Sequence, residues 1–426
     1  MKILIINFYS IWNQGDAAIL SVQRAELLKS FPNAQITVST LQNINKMPVS
    51  YRKNFISSFF YLAVYKNNNI LFRTFNTMYV LFSSLLWVII KKYFSYELNF
   101  ILSNELKNII YEYKTANLIV SVGGGYINAR HTMQSTLSLL LTCHAIYFAQ
   151  RLKKPVFLYP QSIGPMGHDI QKRMASYTLK NVSHVFIREN ESLKFLYNIK
   201  FDKNKISKTI DSAFLYKNNS KNNAKEYIKN LGIDLKKPII GITVRKYLDI
   251  QEHNNFENEI VKFIDNLLIK NNNIQILFIP QSTDFEHNDD DRQVNDSIYR
   301  KINQTKNVYL ISDQIDLNLT KGVYNYVSVL LGTRMHSCIF SLTSNVPVIA
   351  IEYEYKTKGI MNDLGLDEWV IKIEDVTADK LDVKFNKLMK QKDKYLKLLN
   401  QRLIPYTKIE PPSNFIKEIY DKSIKT

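Results

Sequence analysis

The chain repeats one pattern: short apolar runs of strand length, separated by longer stretches in which apolar residues return every three or four positions. Such alternation predicts parallel strands joined by crossover helices. Lys2 to Phe8 reads as a strand, Asp16 to Lys29 as a helix and Gln35 to Thr40 as a second strand, a βαβ opening. Asn117 to Val122, a helix from about Thr136 to Arg151, Pro155 to Tyr159 and His184 to Ile187 continue the plan. The segment KNNSKNNAK, Lys217 to Lys225, is polar and lacks apolar periodicity, as an interdomain linker would. The pattern then restarts with Pro238 to Val244, Ile274 to Pro280, Val308 to Ile311, Tyr326 to Leu331 and Pro347 to Ile351. The expected fold class is α/β, with two Rossmann-like domains facing across a cleft. Their expected extents are 1–216 and 226–378, with a lysine-rich closing segment of helices over 379–426.

The stretch from Phe55 to Tyr113 breaks this pattern and reads as an insertion in the N-terminal domain. Between Arg73 and Lys91, TFNTMYVLFSSLLWVII carries no charge and lies at the lower edge of the length that crosses a bilayer. Three readings fit: a hydrophobic helix buried in the domain, a membrane-surface hairpin with basic flanks, or a spanning helix. A span would divide the first sheet across the bilayer, which counts against it.

Charge narrows the range of partners. The formal net charge is +18, so the surface should attract nucleic acid, lipid head groups, or a phosphorylated or carboxylated substrate. The lysines are dispersed, with no basic block and no nucleic-acid motif, so a dedicated nucleic-acid site is not expected. Cys143 and Cys338 each lie in an apolar segment, as buried thiols of a reducing compartment would. The opening MKILIINFYS has no small-residue cleavage site and reads as a first strand, so a cytoplasmic protein is expected.

Polar groups collect where the predicted strands end, the edge at which open α/β sheets bind ligands. In NQGDAAIL, Asn13 offers an amide, Gly15 permits close backbone approach and Asp16 can cap a helix, while the full GxGxxG fingerprint is absent. In SVGGGYIN, the glycines Gly123, Gly124 and Gly125 either curl backbone amides round an oxygen-rich ligand or let a loop pack tightly. YPQSIGPMG places Gln161 and Ser162 at a strand end before a turn through Gly164 and Pro165. Arg188 in IRENES belongs either to a solvated ion-pair network or to the cleft. In the second half, Thr243 and Arg245 end GITVR, Gln281 ends FIPQ, and LGTRMHSCIF sets Thr333, Arg334 and His336 at a strand-to-helix junction. EYEYKTKG adds Glu352, Tyr353, Lys356 and Lys358. An arginine and a histidine beside a helix start point to an anionic ligand. The run Asp289 to Asp291 reads as solvated rather than as a metal site. Of the remaining histidines, His131 and His168 stand nearest the glycine and QSIGP segments.

Taken in order, NQGDAAI, SVGGGYIN, YPQSIGP, IREN, DSAF, GITVR and GTRMHS followed by PVIAIEYEYKTKGIMNDLG resemble the polysaccharide pyruvyl transferase family, from residue 7 to about 365. The resemblance implies a glycosyltransferase-B-like arrangement. It also implies transfer of a pyruvyl ketal from phosphoenolpyruvate to two hydroxyls of a sugar, in a surface polysaccharide or its lipid-linked precursor. Carried onto this chain, Arg334 and His336 match the family's phosphoenolpyruvate-holding motif, with Arg245, Thr333, Gln281 and Lys356 on the donor side. Acceptor contacts would come from Asn13, Gly15, Gly124, Gly125, Gln161 and Arg188.

In that scheme His336 protonates the methylene carbon or stabilises the departing phosphate, and Asp16 is the candidate base for the incoming hydroxyl. No metal and no cofactor is implied beyond phosphoenolpyruvate as co-substrate. Lipid-linked sugars at the cytoplasmic face would give the basic surface a peripheral partner in the anionic inner leaflet. Two other readings use the same residues differently. A nucleotide-sugar-dependent glycosyltransferase would set Arg334 on a diphosphate, although paired acidic residues near that site are missing. A non-catalytic membrane-associated partner in polysaccharide assembly would tolerate loss of His336.

Overall fold

The structure, a computed structural model, describes the chain apart from residues 68, 219, 247–249, 354 and 426. Two compact units form: Met1–Ser10, Ile19–Ser212 and Glu410–Thr426 make the first, and Ile11–Ala18 with Ala213–Ile409 the second. The expected extents differ in several places, residues 213–216 and the expected closing segment 379–409 falling in the second unit. The turn and helix start Ile11–Ala18 group with the second unit, and the last helix, Pro412–Lys425, groups with the first.

The first unit is built on β1 (Lys2–Phe8), β2 (Gln35–Thr40), β3 (Phe55–Ser57), β4 (Leu118–Ser121), β5 (Gly124–Ala129), β6 (Val156–Met166), β7 (His184–Ile187) and β8 (Ile206–Lys208). They lie in the order β3-β2-β1-β4-β6-β7-β8, with β5 paired to β6. Every pairing in this sheet is parallel. Central strands such as β1 and β4 are apolar without alternation because both faces are covered.

Two loops expected from sequence are strands instead. The segment expected to stop at Tyr159 continues to Met166, carrying QSIGP inside β6, and Gly124–Ala129 pairs with it as β5. Packing explains the glycines: a Cβ at Gly123 would lie 2.9 Å from the Pro160 carbonyl, and Gly124 sits at φ 143.

The hydrophobic insertion is the helix Ile70–Phe94, which buries Val80, Trp87 and Val88 in the first unit's core and leaves its other face in solvent. The expected linker Lys217–Lys225 is helical from Lys221, because Ala224 and Ile228 supply a buried stripe.

The second unit holds β9 (Ile239–Thr243), β10 (Gln275–Phe278), a small antiparallel pair β11 (Thr283–Asp284) and β12 (Asp289–Asp290), then β13 (Val308–Leu310), β14 (Val329–Gly332), β15 (Val348–Glu352) and β16 (Val370–Lys372). The main sheet runs β13-β10-β9-β14-β15-β16, all parallel. Counted within the unit this is the doubly wound order 3-2-1-4-5-6, whose switch point falls between β9 and β14.

Candidate functional site

Arg245 follows β9, and Thr333 and Arg334 follow β14, so the switch point of the second sheet is where the predicted cations gather. The turn after β14 is bonded to the end of β9. The Thr333 N–H and hydroxyl both donate to the Thr243 carbonyl at 3.0 Å. Ser337 Oγ donates to the Arg334 carbonyl at 2.6 Å and lies 2.7 Å from Thr243 Oγ1. Thr333 therefore fixes the turn, and its hydroxyl is engaged by backbone rather than turned to a ligand. Arg334 caps the helix Met335–Leu342, and His336 stands in that helix's first turn, where free N–H groups favour an anion.

Arg334 is buried, with 8% of its surface exposed. Its Nη2 donates to Asp289 Oδ1 at 2.6 Å and Asp291 Oδ1 at 2.5 Å, and its Nε reaches Asp291 Oδ1 at 3.1 Å. Asp291 also accepts the backbone N–H groups of Gln281 and Ser282, each at 3.0 Å. The aspartate run is thus not solvated, as the sequence suggested. Side chains alternate in extended backbone, so Asp289 and Asp291 turn to Arg334 while Asp290 turns to Arg292 at 2.9 Å. Burial raises the Asp291 carboxyl above its usual range despite the Arg334 charge. Burial also opposes ionisation of Asp289, but there Arg334 and Arg245 prevail and hold the carboxyl below its usual range. The two carboxylates hold Arg334 charged, far above its ordinary value, against the cost of burial.

Arg245 is more open. Its guanidinium lies over the Tyr353 ring at 4.7 Å, Nη1 donates to the Tyr353 hydroxyl at 2.8 Å, and Nη2 is 3.8 Å from Asp289. Arg245, Lys246, His253, Asp289 and Arg334 line a cavity of about 490 Å³. Lys356 stands in the helix Tyr355–Asp363, with Nζ 6.0 Å from the Tyr355 ring centre, and is not among the residues lining that cavity.

The segment Asn13–Asp16 completes the constellation from the other end of the sequence. Asn13 bridges to Ser282, the Gln14 N–H donates to the Gln281 carbonyl at 3.0 Å, and the Thr283 N–H donates to the Trp12 carbonyl at 3.0 Å. Gln281, expected to face the donor, is a buried strut whose side chain accepts the Tyr324 hydroxyl at 2.9 Å. Asn13, rather than Asp16, caps the helix Gln14–Ser30: its Oδ1 accepts the N–H of Gly15 at 3.2 Å and of Asp16 at 3.3 Å. A Cβ at Gly15 would lie 1.9 Å from His336 Nδ1, so glycine is needed there because the imidazole packs directly on the backbone. Sequence reasoning singled out both residues without seeing that they touch.

The first unit's candidates form a separate cluster. Arg188 is buried, donates from Nε to Ser162 Oγ at 2.8 Å, and pairs with Asp211 and, at 3.6 Å, with Glu189. Ser162 in turn donates to Glu189 at 2.9 Å. This is a buried strut and not a solvated network. Gln161 is buried on β6 beside Gly124, and its Oε1 has no hydrogen-bond partner. The Gly125 carbonyl accepts from Asn128. His131 and His168 are exposed and meet edge to face at 4.6 Å.

Asp289, Asp291 and Tyr353 are the site residues whose roles sequence reasoning missed. The signal available for the first two was the DDD run itself, whose first and third side chains share a face in extended backbone.

Two Rossmann-like units in one chain, with charged groups at the second switch point, define a protein of the glycosyltransferase-B fold class. Solved structures agree. UDP-GlcNAc 2-epimerase from Neisseria meningitidis, bound to UDP-GlcNAc, matches 100% of this chain and 99% of its own with a TM-score of 0.57 at 14% identity. HepE from Anabaena, in complex with UDP-glucose, matches with the same coverage and a TM-score of 0.57 at 10% identity. At such identities the likeness is one of fold. Within that class, the sequence pattern of the polysaccharide pyruvyl transferases matches residues 13–355, and the chain belongs to that family. The amylovoran biosynthesis protein AmsJ of Erwinia amylovora is 22% identical over 401 residues, 91% of each chain. Family membership makes the chain a transferase with a pyruvyl-transfer role in polysaccharide biosynthesis.

Proposed function

We propose that the chain takes the pyruvyl group from phosphoenolpyruvate and joins it, as a ketal, to two hydroxyls of a sugar in a surface polysaccharide or its lipid-linked precursor, at the inner face of the cell membrane. The observation that carries this reading is that Arg334 and Arg245 line one cavity at the switch point, with His336 in the first turn of the helix that follows Arg334, in a chain of this family. Phosphoenolpyruvate serves as co-substrate, and the scheme calls for no further cofactor.

Arg334 is engaged by two carboxylates of unequal fixity. Both line the cavity, but Asp291 is tied to two backbone N–H groups and its side chain is 2% exposed, whereas that of Asp289 is 17% exposed. The carboxylate or phosphate of the donor takes the place of Asp289 on the outer side of the guanidinium, with Arg245 and the helix N-terminus completing its neutralisation. A sugar hydroxyl attacks the carbon bearing the phosphate while a proton reaches the methylene carbon from His336. Phosphate leaves, and the second hydroxyl adds to the same carbon, losing its proton and closing the ketal. Asp16, one residue beyond Gly15, is the candidate base for the first hydroxyl. Gln161, with its unpartnered Oε1, is the candidate acceptor contact in the first unit.

The test is phosphate release from phosphoenolpyruvate with a panel of synthetic and lipid-linked sugar acceptors, by the wild type and by His336→Ala. Acceptor-dependent release that the substitution lowers by roughly a hundredfold or more supports the reading. Stabilisation by a nucleoside diphosphate, without any by phosphoenolpyruvate, overturns it in favour of a nucleotide-sugar glycosyltransferase. Undiminished function of His336→Ala in polysaccharide assembly points instead to a non-catalytic partner.

A further inference from the structure

The helix Ile70–Phe94 has two unlike faces. The inner one is fastened to the first unit: Ser84 Oγ lies 3.0 Å from His144 Nε2, the Tyr79 hydroxyl donates to the Ile101 carbonyl at 3.0 Å, and Trp87 is fully enclosed. The outer one carries Leu71, Phe75, Met78, Phe82, Ile89 and Tyr93, all exposed, with Phe75 at 66% and Phe82 at 68%. Their spacing of three, four or seven residues puts them in one stripe along the helix. At 1.5 Å per residue the stripe is roughly 33 Å long. A contiguous apolar surface of this kind marks an interaction site, unlike singly scattered apolar residues.

We propose that this face is a membrane-binding surface that lies flat in the head-group region of a bilayer containing anionic phospholipid. A transmembrane passage is incompatible with the inner face, since crossing would tear Trp87 and the Ser84–His144 bond out of the core. A second copy of the chain fits poorly. Residues 66–100 hold four basic side chains, Lys66, Arg73, Lys91 and Lys92, against one acid, Glu97; Lys66 pairs with Glu105 and Lys91 with Glu97, while Arg73 and Lys92 stand near the two ends of the stripe, in a chain of +18. Antiparallel pairing of two such helices would bring Arg73 towards Lys91 and Lys92 of its partner, like charge against like. Phospholipid head groups instead supply the opposite charge beside the apolar stripe, and aromatic side chains settle at that depth. The inference stands independently of the pyruvyl-transfer reading.

The test is flotation of the full chain with vesicles of equal parts phosphatidylglycerol and phosphatidylcholine, and with phosphatidylcholine alone, in the absence of donor and acceptor. Binding to the anionic vesicles is expected, falling at least about tenfold in the double variant Phe75→Glu, Phe82→Glu, whose melting is unchanged because both rings are exposed. Lys92→Glu should weaken binding to the anionic vesicles while leaving the weaker binding to phosphatidylcholine as it was. No binding to either vesicle overturns the proposal, as does undiminished binding by the double variant. A concentration-dependent dimer abolished by the double variant overturns it in favour of a second copy. Turnover of a soluble acceptor, measured on the same double variant, separates this outcome from the fate of the catalytic reading.

Discussion

Arg188 in the first unit and Arg334 in the second are both buried arginines held by two carboxylates beyond the end of a parallel strand, yet they differ in what else they touch. The side chains of Arg188, Glu189 and Asp211 are 5%, 6% and 1% exposed, and Ser162 and Ser192 bond to the same cluster. Around Arg334 the corresponding values are 10% for the arginine, 17% for Asp289 and 2% for Asp291, and the cluster lines a cavity with Arg245. A buried ion pair is by itself weak evidence of function, because desolvation opposes its Coulomb attraction. On the proposed reading, a more exposed carboxylate beside open space is the feature that separates a binding arginine from a strut.

The sharpest way to break this comparison is to replace both arginines. Arg188→Met leaves Asp211 and Glu189 buried without a counter-charge and should lower folding stability by about 3–5 kcal/mol, read as a drop in melting temperature and denaturation midpoint. Arg334→Lys keeps the charge but loses the planar fork. It should melt closer to the wild type, while phosphoenolpyruvate-dependent turnover falls roughly a hundred- to thousandfold. The assignments are reversed if Arg188→Met melts like the wild type and abolishes turnover.

Smaller effects are expected at the two carboxylates that hold Arg334. Asp291→Asn loses charge at the buried anchor that also receives the N–H groups of Gln281 and Ser282, and should destabilise by about 1–3 kcal/mol. Asp289→Asn, on the cavity side, should cost less than about 1 kcal/mol. It should also lower the KM for phosphoenolpyruvate, because the competing carboxylate is gone. Equal destabilisation by the two substitutions, with KM unchanged, would show that Asp289 is as fixed as Asp291.

Legibility in the sequence follows the same division between local and non-local causes. The central parallel strands were readable because they are largely apolar runs between helical segments, a local property, whereas the three-residue edge strands β3, β8 and β16 were not. The placing of Arg245, Arg334 and His336 was readable because the chemistry of a doubly wound sheet collects at strand ends. The strand character of Gly124–Ala129 was hidden because its partner, β6, is distant in sequence and its glycines imitate a loop. Gly15 was noticed for the wrong reason, since only the fold brings His336 onto it. The carboxylates around Arg334 were hidden because burial of an acidic run depends on a cation about forty residues away, Asp289 and Arg334 being 45 apart. The insertion helix sits between these cases. Its apolar length was plain, but which side meets the core depends on His144 and other partners outside it.

The mildest effect expected near pH 7 concerns Lys321, a third buried cation, which has no carboxylate partner among the described residues. Its Nζ donates to the Phe340 carbonyl at 2.6 Å, Thr343 Oγ1 at 2.9 Å and Ser344 Oγ at 2.6 Å, closing the C-terminal end of the helix that begins at Arg334. Burial lowers its pKa from an ordinary 10.5 to about 7. Between those values the unfolded chain keeps a proton that the folded chain has released, so stability should rise as pH increases from about 7 towards 10.5. Lys321→Met should remove that rise. Near pH 7 it should change stability by no more than about 1 kcal/mol, because the Phe340 carbonyl also accepts from the Ser344 N–H and Thr343 Oγ1 donates to the Ile339 carbonyl. The measurement is the difference in unfolding free energy between wild type and variant at several pH values, which cancels the titration of groups common to both. A difference that stays flat across the range would mean that Lys321 remains protonated, held by its three acceptors despite burial. Arg334 would then differ from it in geometry and not in its need for carboxylates.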